Sequence, residues 1–209
     1  MLELKQFMND GMPGAMSFDA YFELLQDHAT NGKTSGDNQS ESLIEYTRLN
    51  AHRMKRISKT TKVSEELVGQ MKQISSNQTW IVFSETWCGD AAQNLPVIGK
   101  IAERNDQIEL KVIFRDEHRE LMGHFLTNGG RSIPKLVSVS ENHDVLFTWG
   151  PRPSTAQEMV MDWKSSPEPK KPYVEFVVEL QKWYTQDKSS TLQEEFLKLV
   201  RTTNQAKHA

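Results

Sequence analysis

Residues 80–91 read Trp-Ile-Val-Phe-Ser-Glu-Thr-Trp-Cys-Gly-Asp-Ala and lead from a strand-like stretch into a helix-like one. The first four residues are all apolar, which is typical of a central strand buried on both faces. Cys88, the single cysteine among 209 residues, follows at the turn. A sulfur at the start of a helix lies near free backbone N–H groups and the positive end of the helix dipole, and both favour the thiolate. We therefore predict that Cys88 is exposed enough to react and that any thiol chemistry here uses one thiol.

Composition excludes several classes of protein. Charged residues make up 25% of the chain, and the formal net charge is −3. Because no strong field of either sign results, we expect no nucleic-acid partner and no membrane partner. No apolar run approaches the ~20 residues of a membrane span, and the first residues lack the features of a signal peptide. One cysteine excludes an internal disulfide framework, so the expected compartment is the reducing cytoplasm. The oligomeric state stays open.

The order of the predicted elements indicates an α/β fold. Outward from residues 80–91, the pattern alternates between helix and strand and then ends in a hairpin and a helix. These elements are a helix at 91–104, a strand at 108–114, a helix at 117–128, a hairpin at 136–149 and a helix at 154–164. Strands that alternate with helices run parallel, and the hairpin adds an antiparallel edge.

Helical patterns also flank this middle region. Before it, Ser17 and Ser64 are predicted N-caps, and a long helix is predicted from about residue 41 to 59. After it, helices are predicted over 173–184 and from a capping box that begins at Thr191. The predicted division is an N-terminal helical extension that packs on the core (1–76), a central α/β domain (77–164) and a C-terminal helical extension (165–209).

Four landmarks in the central domain resemble those of the thioredoxin family. Trp87-Cys88-Gly89 resembles the start of the family's Trp-Cys-Gly-Pro-Cys motif, and Pro96 stands where thioredoxins have a helix-kinking proline. Arg131-Ser132-Ile133-Pro134 resembles the segment that ends in the family's cis-proline, and Gly150 matches a glycine at the end of the last strand. The resemblance implies a thioredoxin-like three-layer α/β/α fold with a mixed sheet over 77–164. Longer runs resemble a bacterial subfamily: Trp-Cys-Gly-Asp-Ala-Ala-Gln, Gly-Gly-Arg-Ser-Ile-Pro-Lys and Trp-Gly-Pro-Arg-Pro.

The sequence departs from the family's pattern at three positions. Ala91 stands where the resolving cysteine would be, so the second step of dithiol exchange is missing. Asp90 replaces the family's proline. Val82 stands where thioredoxins carry a buried aspartate that serves the second thiol, and without that thiol a buried carboxylate would only cost desolvation.

The residues of the motif have alternative roles. Asp90 either stabilises the start of the helix or acts on the sulfur, where its negative charge would raise the pKa of Cys88. It could instead accept a proton or orient a substrate. Trp87 either shields the sulfur and offers a flat surface to a partner, or simply packs. Gly89 and Ala91 complete the motif.

A second segment is expected to face Cys88. A cis bond before Pro134 would place the backbone of Ile133 beside the sulfur, where the family pairs with extended substrate. Arg131 either lends positive charge near the sulfur, which would lower its pKa, or is a solvated loop residue. The six histidines show no ligand spacing, so we expect no metal site.

Two functions from different classes fit these residues. The first is one-thiol redox chemistry, in which Cys88 attacks a protein or small-molecule disulfide and an external thiol resolves the mixed disulfide. The chain would then be a monothiol thiol–disulfide oxidoreductase with no cofactor, and a low-molecular-weight thiol would be its co-substrate. The second is a non-catalytic binding or chaperone-like module that retains the peptide groove. Iron–sulfur ligation by Cys88 is a third alternative, although the Cys-Gly-Phe-Ser motif of monothiol glutaredoxins is not matched.

Overall fold

A five-stranded mixed sheet forms the centre of the computed structural model, which describes residues 2–206. The strands are β1 (Met16–Ser17), β2 (Gln78–Ser84), β3 (Ile108–Phe114), β4 (Lys135–Ser140) and β5 (Val145–Trp149). Their spatial order is β1-β3-β2-β4-β5. Strands β2 and β3 are parallel, whereas the β1–β3, β2–β4 and β4–β5 pairs are antiparallel. The predicted α/β class and mixed sheet are confirmed.

Helices cover both faces of the sheet. Within the described residues they are α1 (Leu2–Asn9), α2 (Phe18–Asn31), α3 (Glu41–Thr60), α4 (Glu65–Met71), α5 (Gly89–Ala102), α6 (Arg119–Met122), α7 (Ser154–Ser165), α8 (Tyr173–Asp187) and α9 (Ser190–Ala206). The predicted caps of two N-terminal helices are present, since Ser17 Oγ accepts from Ala20 N and Ser64 Oγ accepts from Leu67 N. No helix within residues 2–206 is long and apolar enough to cross a membrane.

Strand β2 is buried on both faces, as its apolar run predicts. Trp80 and Val82 belong to a large core cluster that also contains side chains of α2, α3, α4, α5 and α9. Ile81 and Phe83 belong to a second cluster on the other face, with side chains of α1 and α6. Because successive side chains of a strand point to opposite faces, this one strand joins the two helical layers.

Both terminal segments are built into this core. The short strand β1 pairs with β3 and extends the sheet by one edge strand. At the other end of the chain, Phe196 of α9 is fully buried, and its ring centroid lies 5.5 Å from that of Trp80 and 5.6 Å from that of Trp149. Helix α9 therefore completes one of the two layers over the sheet.

The helix predicted over 117–128 is much shorter in the structure. Helix α6 spans four residues, and a 3-10 turn at Gly123–Phe125 follows it. Thr127 and Gly130 then exchange backbone hydrogen bonds of 2.9 and 3.0 Å in a tight turn. Gly123 weakens the helix at this point, because glycine is a poor helix former. The chain turns early and directs the 131–134 segment towards the start of α5.

Candidate functional site

Cys88 lies at the junction between β2 and α5. It is the N-cap residue of α5, and its Sγ accepts a hydrogen bond from Ala91 N at 3.4 Å. Its thiol donates to the carbonyl oxygen of Ile133 at 3.4 Å. The Ile133–Pro134 peptide bond is cis. The structure therefore brings the 131–134 segment to the sulfur, at the place that the sequence predicted.

Glycine is required at position 150, just after β5, because the backbone there lies very close to the cis-proline segment. Its φ of +108° lies in a region that residues with a side chain rarely adopt. A Cβ atom on Gly150 would lie 2.3 Å from the carbonyl oxygen of Pro134. The absence of a side chain at Gly150 thus allows the Pro134 backbone to lie directly against the end of the strand.

The prediction that Cys88 is exposed is wrong. Its side chain is buried, with 7% of the residue exposed. Burial is the main reason that the pKa of Cys88 rises to about 12, and the nearby charge of Asp90 raises it further. The N–H of Ala91 and the charge of Arg152 lower the pKa but do not compensate. At neutral pH Cys88 is therefore a neutral thiol, whereas the start of a helix alone would favour a thiolate.

Asp90 forms a buried ion pair with Arg152. Its Oδ2 lies 2.7 Å from Nη2 of Arg152, and its Oδ1 accepts from the hydroxyl of Tyr184 at 2.9 Å. The Asp90 side chain is only 12% exposed, and burial raises its pKa, while Arg152 and Tyr184 oppose that rise. Asp90 also lies in the first turn of α5, where a negative charge stabilises the start of a helix. This is one of the roles considered for it from the sequence. Its carboxylate connects α5 to α8 and to the loop after β5.

Arg152 and Tyr184 were not among the predicted site residues. Arg152 lies two positions after Gly150, within the run Trp-Gly-Pro-Arg-Pro. The resemblance of that run to the bacterial subfamily could have indicated that Arg152 is a site residue. Tyr184 is the last residue of the helix predicted over 173–184. Its hydroxyl also accepts from Asn94 Nδ2 at 3.1 Å, and the same Nδ2 donates to the backbone oxygen of Asp90 at 2.9 Å. These bonds fix α8 against the start of α5.

Arg131 does not supply the positive charge near the sulfur. Its side chain is exposed, and its charge acts on Asp116. Of the described residues, Arg152 is the cation that lowers the pKa of Cys88. Trp87 is half-buried, and the guanidinium of Arg115 lies over its ring, 5.1 Å from the centroid. Trp87 thus packs against Arg115 and also lines the cavity beside the sulfur.

A buried polar cluster fixes the turn that precedes Cys88. Glu85 is fully buried; its Oε2 accepts from Ser35 Oγ, and its Oε1 accepts from Asp116 N at 3.0 Å. Burial raises the pKa of Glu85. The backbone N of Thr86 donates to Ser35 Oγ at 2.9 Å, and Asn50 Nδ2 donates to Thr86 O at 2.9 Å. The loop before α3, and α3 itself, therefore hold the turn in place, a role that the sequence did not reveal.

A cavity of ≈ 440 Å³ lies beside Cys88. Its walls come from α3, the start of α5, the cis-proline segment, α7 and α8. Gly89, Ser132 and Ile133 line it together with the sulfur. Helix α8 contributes Tyr173, Phe176, Val177, Leu180 and Gln181. Helix α8 thus forms one wall of a partly open pocket beside the cis-proline segment, and this pocket is of small-molecule size.

Helix α8 is attached to α7 by a separate apolar cluster. It contains Ala156, Val160, Phe176, Leu180 and Tyr184. A 2.6 Å hydrogen bond from Gln93 Nε2 to Gln181 Oε1 adds a link to α5. In residues 2–206, no group of three or more His, Cys, Asp or Glu side chains is arranged to hold a metal ion.

Comparison with known proteins agrees with this geometry. The sequence model of a family described as Thioredoxin matches residues 36–164, more than half of the chain. The chain belongs to the thioredoxin family. The match begins within the predicted N-terminal extension and ends at residue 164. A comparison with curated proteins gave no significant match.

Two solved structures resemble this thioredoxin-family chain over most of its length. One is a protein of unknown function from Pseudomonas aeruginosa, with a TM-score of 0.56, 14% identity, and coverage of 90% of this chain and 98% of that one. The other is an HIV epitope scaffold, with a TM-score of 0.54, 14% identity, and coverage of 90% and 99%. At this identity the likeness shows the shared fold, and it extends to the terminal helices as well as the central domain.

Proposed function

We propose that this chain is a non-catalytic thioredoxin-fold binding protein whose ligand occupies the pocket beside Cys88. The observation that carries the proposal is the burial of Cys88 as a neutral thiol with a pKa raised to about 12. A thiolate is the nucleophile in disulfide exchange, and this site holds the sulfur in the other form. Ala91, fully buried, supplies no second thiol. The cytoplasm, as a reducing compartment, is part of this proposal because the single thiol is left free.

One-thiol exchange is the second candidate, because the sulfur of Cys88 lines the pocket. In that reaction the Cys88 thiolate would attack one sulfur of a disulfide, and the other sulfur would leave as a thiolate. An external low-molecular-weight thiol would then attack the mixed disulfide and regenerate Cys88. In this reaction the disulfide would have to enter the pocket beside α8, since residues of that helix line the pocket together with the sulfur.

Alkylation of Cys88 by iodoacetamide at pH 7 separates the two candidates. A pKa of about 12 in place of 9.0 lowers the thiolate fraction about a thousandfold, so the folded chain should react about a thousandfold more slowly than the chain in denaturant. The folded chain should also form no mixed disulfide with oxidised glutathione, as followed by intact mass. Alkylation and mixed-disulfide formation at rates close to those of the denatured chain would favour one-thiol exchange instead. Cys88→Ser is the blank in both measurements.

A further inference from the structure

The charges that line the Cys88 pocket do not balance. Three cations, Arg53, Arg152 and Lys164, face one carboxylate, that of Asp90. Arg152 is already paired with Asp90 at 2.7 Å. Lys164 is exposed at the rim and is solvated. The unbalanced charge inside the pocket is therefore that of Arg53.

Arg53 lies half-buried on α3 without a carboxylate partner. Its Nη1 donates to a neutral acceptor, Asn50 Oδ1, at 3.2 Å, and within residues 2–206 it takes part in no ion pair. Burial, and then the charge of Arg56, lower the pKa of Arg53, and the opposing effects of Tyr46 and Asp90 do not offset them, so its surroundings disfavour the cation. Arginine nevertheless stays protonated in proteins. An anion that enters the pocket would relieve this unfavourable burial of charge.

The Arg53 guanidinium lies close to the start of α5. A Cβ atom built on Gly89 would lie 3.7 Å from Arg53 Nη1 and 3.9 Å from Gln181 Nε2. Gly89 is adjacent to Cys88, so the cation faces the part of the pocket that also contains the sulfur. A side chain at position 89 would fill the space in which a ligand's charged group can reach Arg53.

Aromatic side chains form the remaining walls of the pocket. They include Tyr46, Trp87, Trp163, Tyr173 and Phe176. The rings of Trp163 and Phe176 are stacked, with centroids 5.2 Å apart and an angle of 16° between their planes. Flat walls of this kind bury a flat apolar body well, because aromatic pairs favour offset-stacked and edge-to-face contacts.

We propose that the pocket binds a small organic monocarboxylate with a flat aromatic body, and that Arg53 pairs with the carboxylate. The proposal rests on the proposed function and names the class of ligand. A planar guanidinium matches a carboxylate through two parallel hydrogen bonds. Because Arg53 is a single unpaired cation, it favours a ligand with one negative charge. A second negative charge would lie near Asp90 without a cation to pair with. The covering helix α8 favours a small molecule over an extended peptide.

Binding of a matched pair of probes tests the proposal. 2-Naphthoate carries a carboxylate on a flat body, and 2-naphthamide has nearly the same shape without the charge. Isothermal titration calorimetry of the wild-type chain should give one site for naphthoate, with the amide at least tenfold weaker. Arg53→Gln should weaken naphthoate binding about tenfold and leave the amide unchanged, because a charge-assisted hydrogen bond contributes roughly that factor. Arg53→Lys, which keeps the charge, should retain a preference for the carboxylate.

Lys59→Gln is the matched control. Lys59 is an exposed cation on the same helix and lies outside the pocket, so its removal should leave both affinities unchanged. Equal affinity for the two probes, equal effects of Arg53→Gln and Lys59→Gln, or no binding of either probe would each overturn the proposed ligand class. The alkylation rate of Cys88 is read independently of these titrations. The proposed ligand class can therefore be refuted while the proposed binding function holds, and the binding function can be refuted separately by the alkylation rate.

Discussion

The buried thiol of Cys88 links the stability of the fold to alkaline pH. The pKa of Cys88 in the folded chain is about 12, above the ordinary value of 9.0. The unfolded chain therefore loses this proton first as the pH rises. The stabilisation from the protonated thiol is complete below pH 9 and is lost progressively between pH 9 and 12. Replacement by serine removes this titration, because a serine hydroxyl does not ionise in this range.

The size of the effect follows from the two pKa values. The wild-type chain should lose less than about 1 kcal/mol of unfolding free energy through this group by pH 9, and about 1–2 kcal/mol by pH 10. Cys88→Ser should not show this loss. Burial also raises the pKa of Tyr21 and of Tyr184, but both chains contain these tyrosines, so their contributions cancel in the comparison.

Urea unfolding followed by circular dichroism measures the difference directly. Both chains are unfolded at pH 7, 8, 9 and 10 with a reductant present, and the difference in unfolding free energy is plotted against pH. We expect a difference that is constant up to pH 8 and then shifts in favour of Cys88→Ser. A difference that stays constant to pH 10 would show that the thiol ionises as readily in the folded chain as in the unfolded one. The reasoning about the buried sulfur would then be refuted.

Two further predictions concern the ion pair and the C-terminal helix. Arg152→Met should destabilise the wild-type chain by about 3–5 kcal/mol, because it leaves the Asp90 carboxylate buried without its cation. In an Asp90→Asn background, Arg152→Met should lower the unfolding free energy much less. Equal losses of unfolding free energy in the two backgrounds, measured by chemical denaturation, would contradict the pairing of Arg152 with Asp90. Phe196→Ala should destabilise the whole fold by about 3–5 kcal/mol in a single calorimetric transition. Val174→Ala, at an exposed position on α8, is its control, and a separate early transition for α9 would contradict the shared core.

The parts of the fold that depend on local pattern could be predicted from the sequence. The all-apolar run in β2 indicated a strand buried on both faces, and its residues contribute to both core clusters. Ser17 and Ser64 could be predicted as N-caps because a capping side chain accepts from a backbone N–H only three positions later in the sequence. The start of α7 differs, because the N–H of its first residue, Ser154, donates to Glu195 Oε1 at 2.7 Å. That acceptor is 41 positions away, beyond any local pattern.

The state of Cys88 depends on tertiary packing and could not be predicted. Its motif marked the position of the sulfur, and the structure has it at the start of α5. The sequence predicted a helix over 173–184 without indicating which surface it would pack against. The hydrogen bond from Tyr184 to Asp90 joins residues 94 positions apart. The sequence therefore predicted the place of the sulfur, whereas its burial comes from a core cluster that brings together residues far apart in the chain, such as Leu4, Phe125 and Ile133.

The packing of α9 on the sheet delays the folding of this chain on the ribosome. Phe196 covers Trp80 and Trp149, and it follows the end of β5 by 47 positions (196 − 149). At a synthesis rate of about 5–20 residues per second, those positions take about 2–9 s to be added. During that interval the strands exist while one apolar face of the sheet lacks its last layer. The contacts of Trp80 and Trp149 with Phe196 can therefore form only after the C-terminal helix has been made, and the sheet gains its last layer at that point.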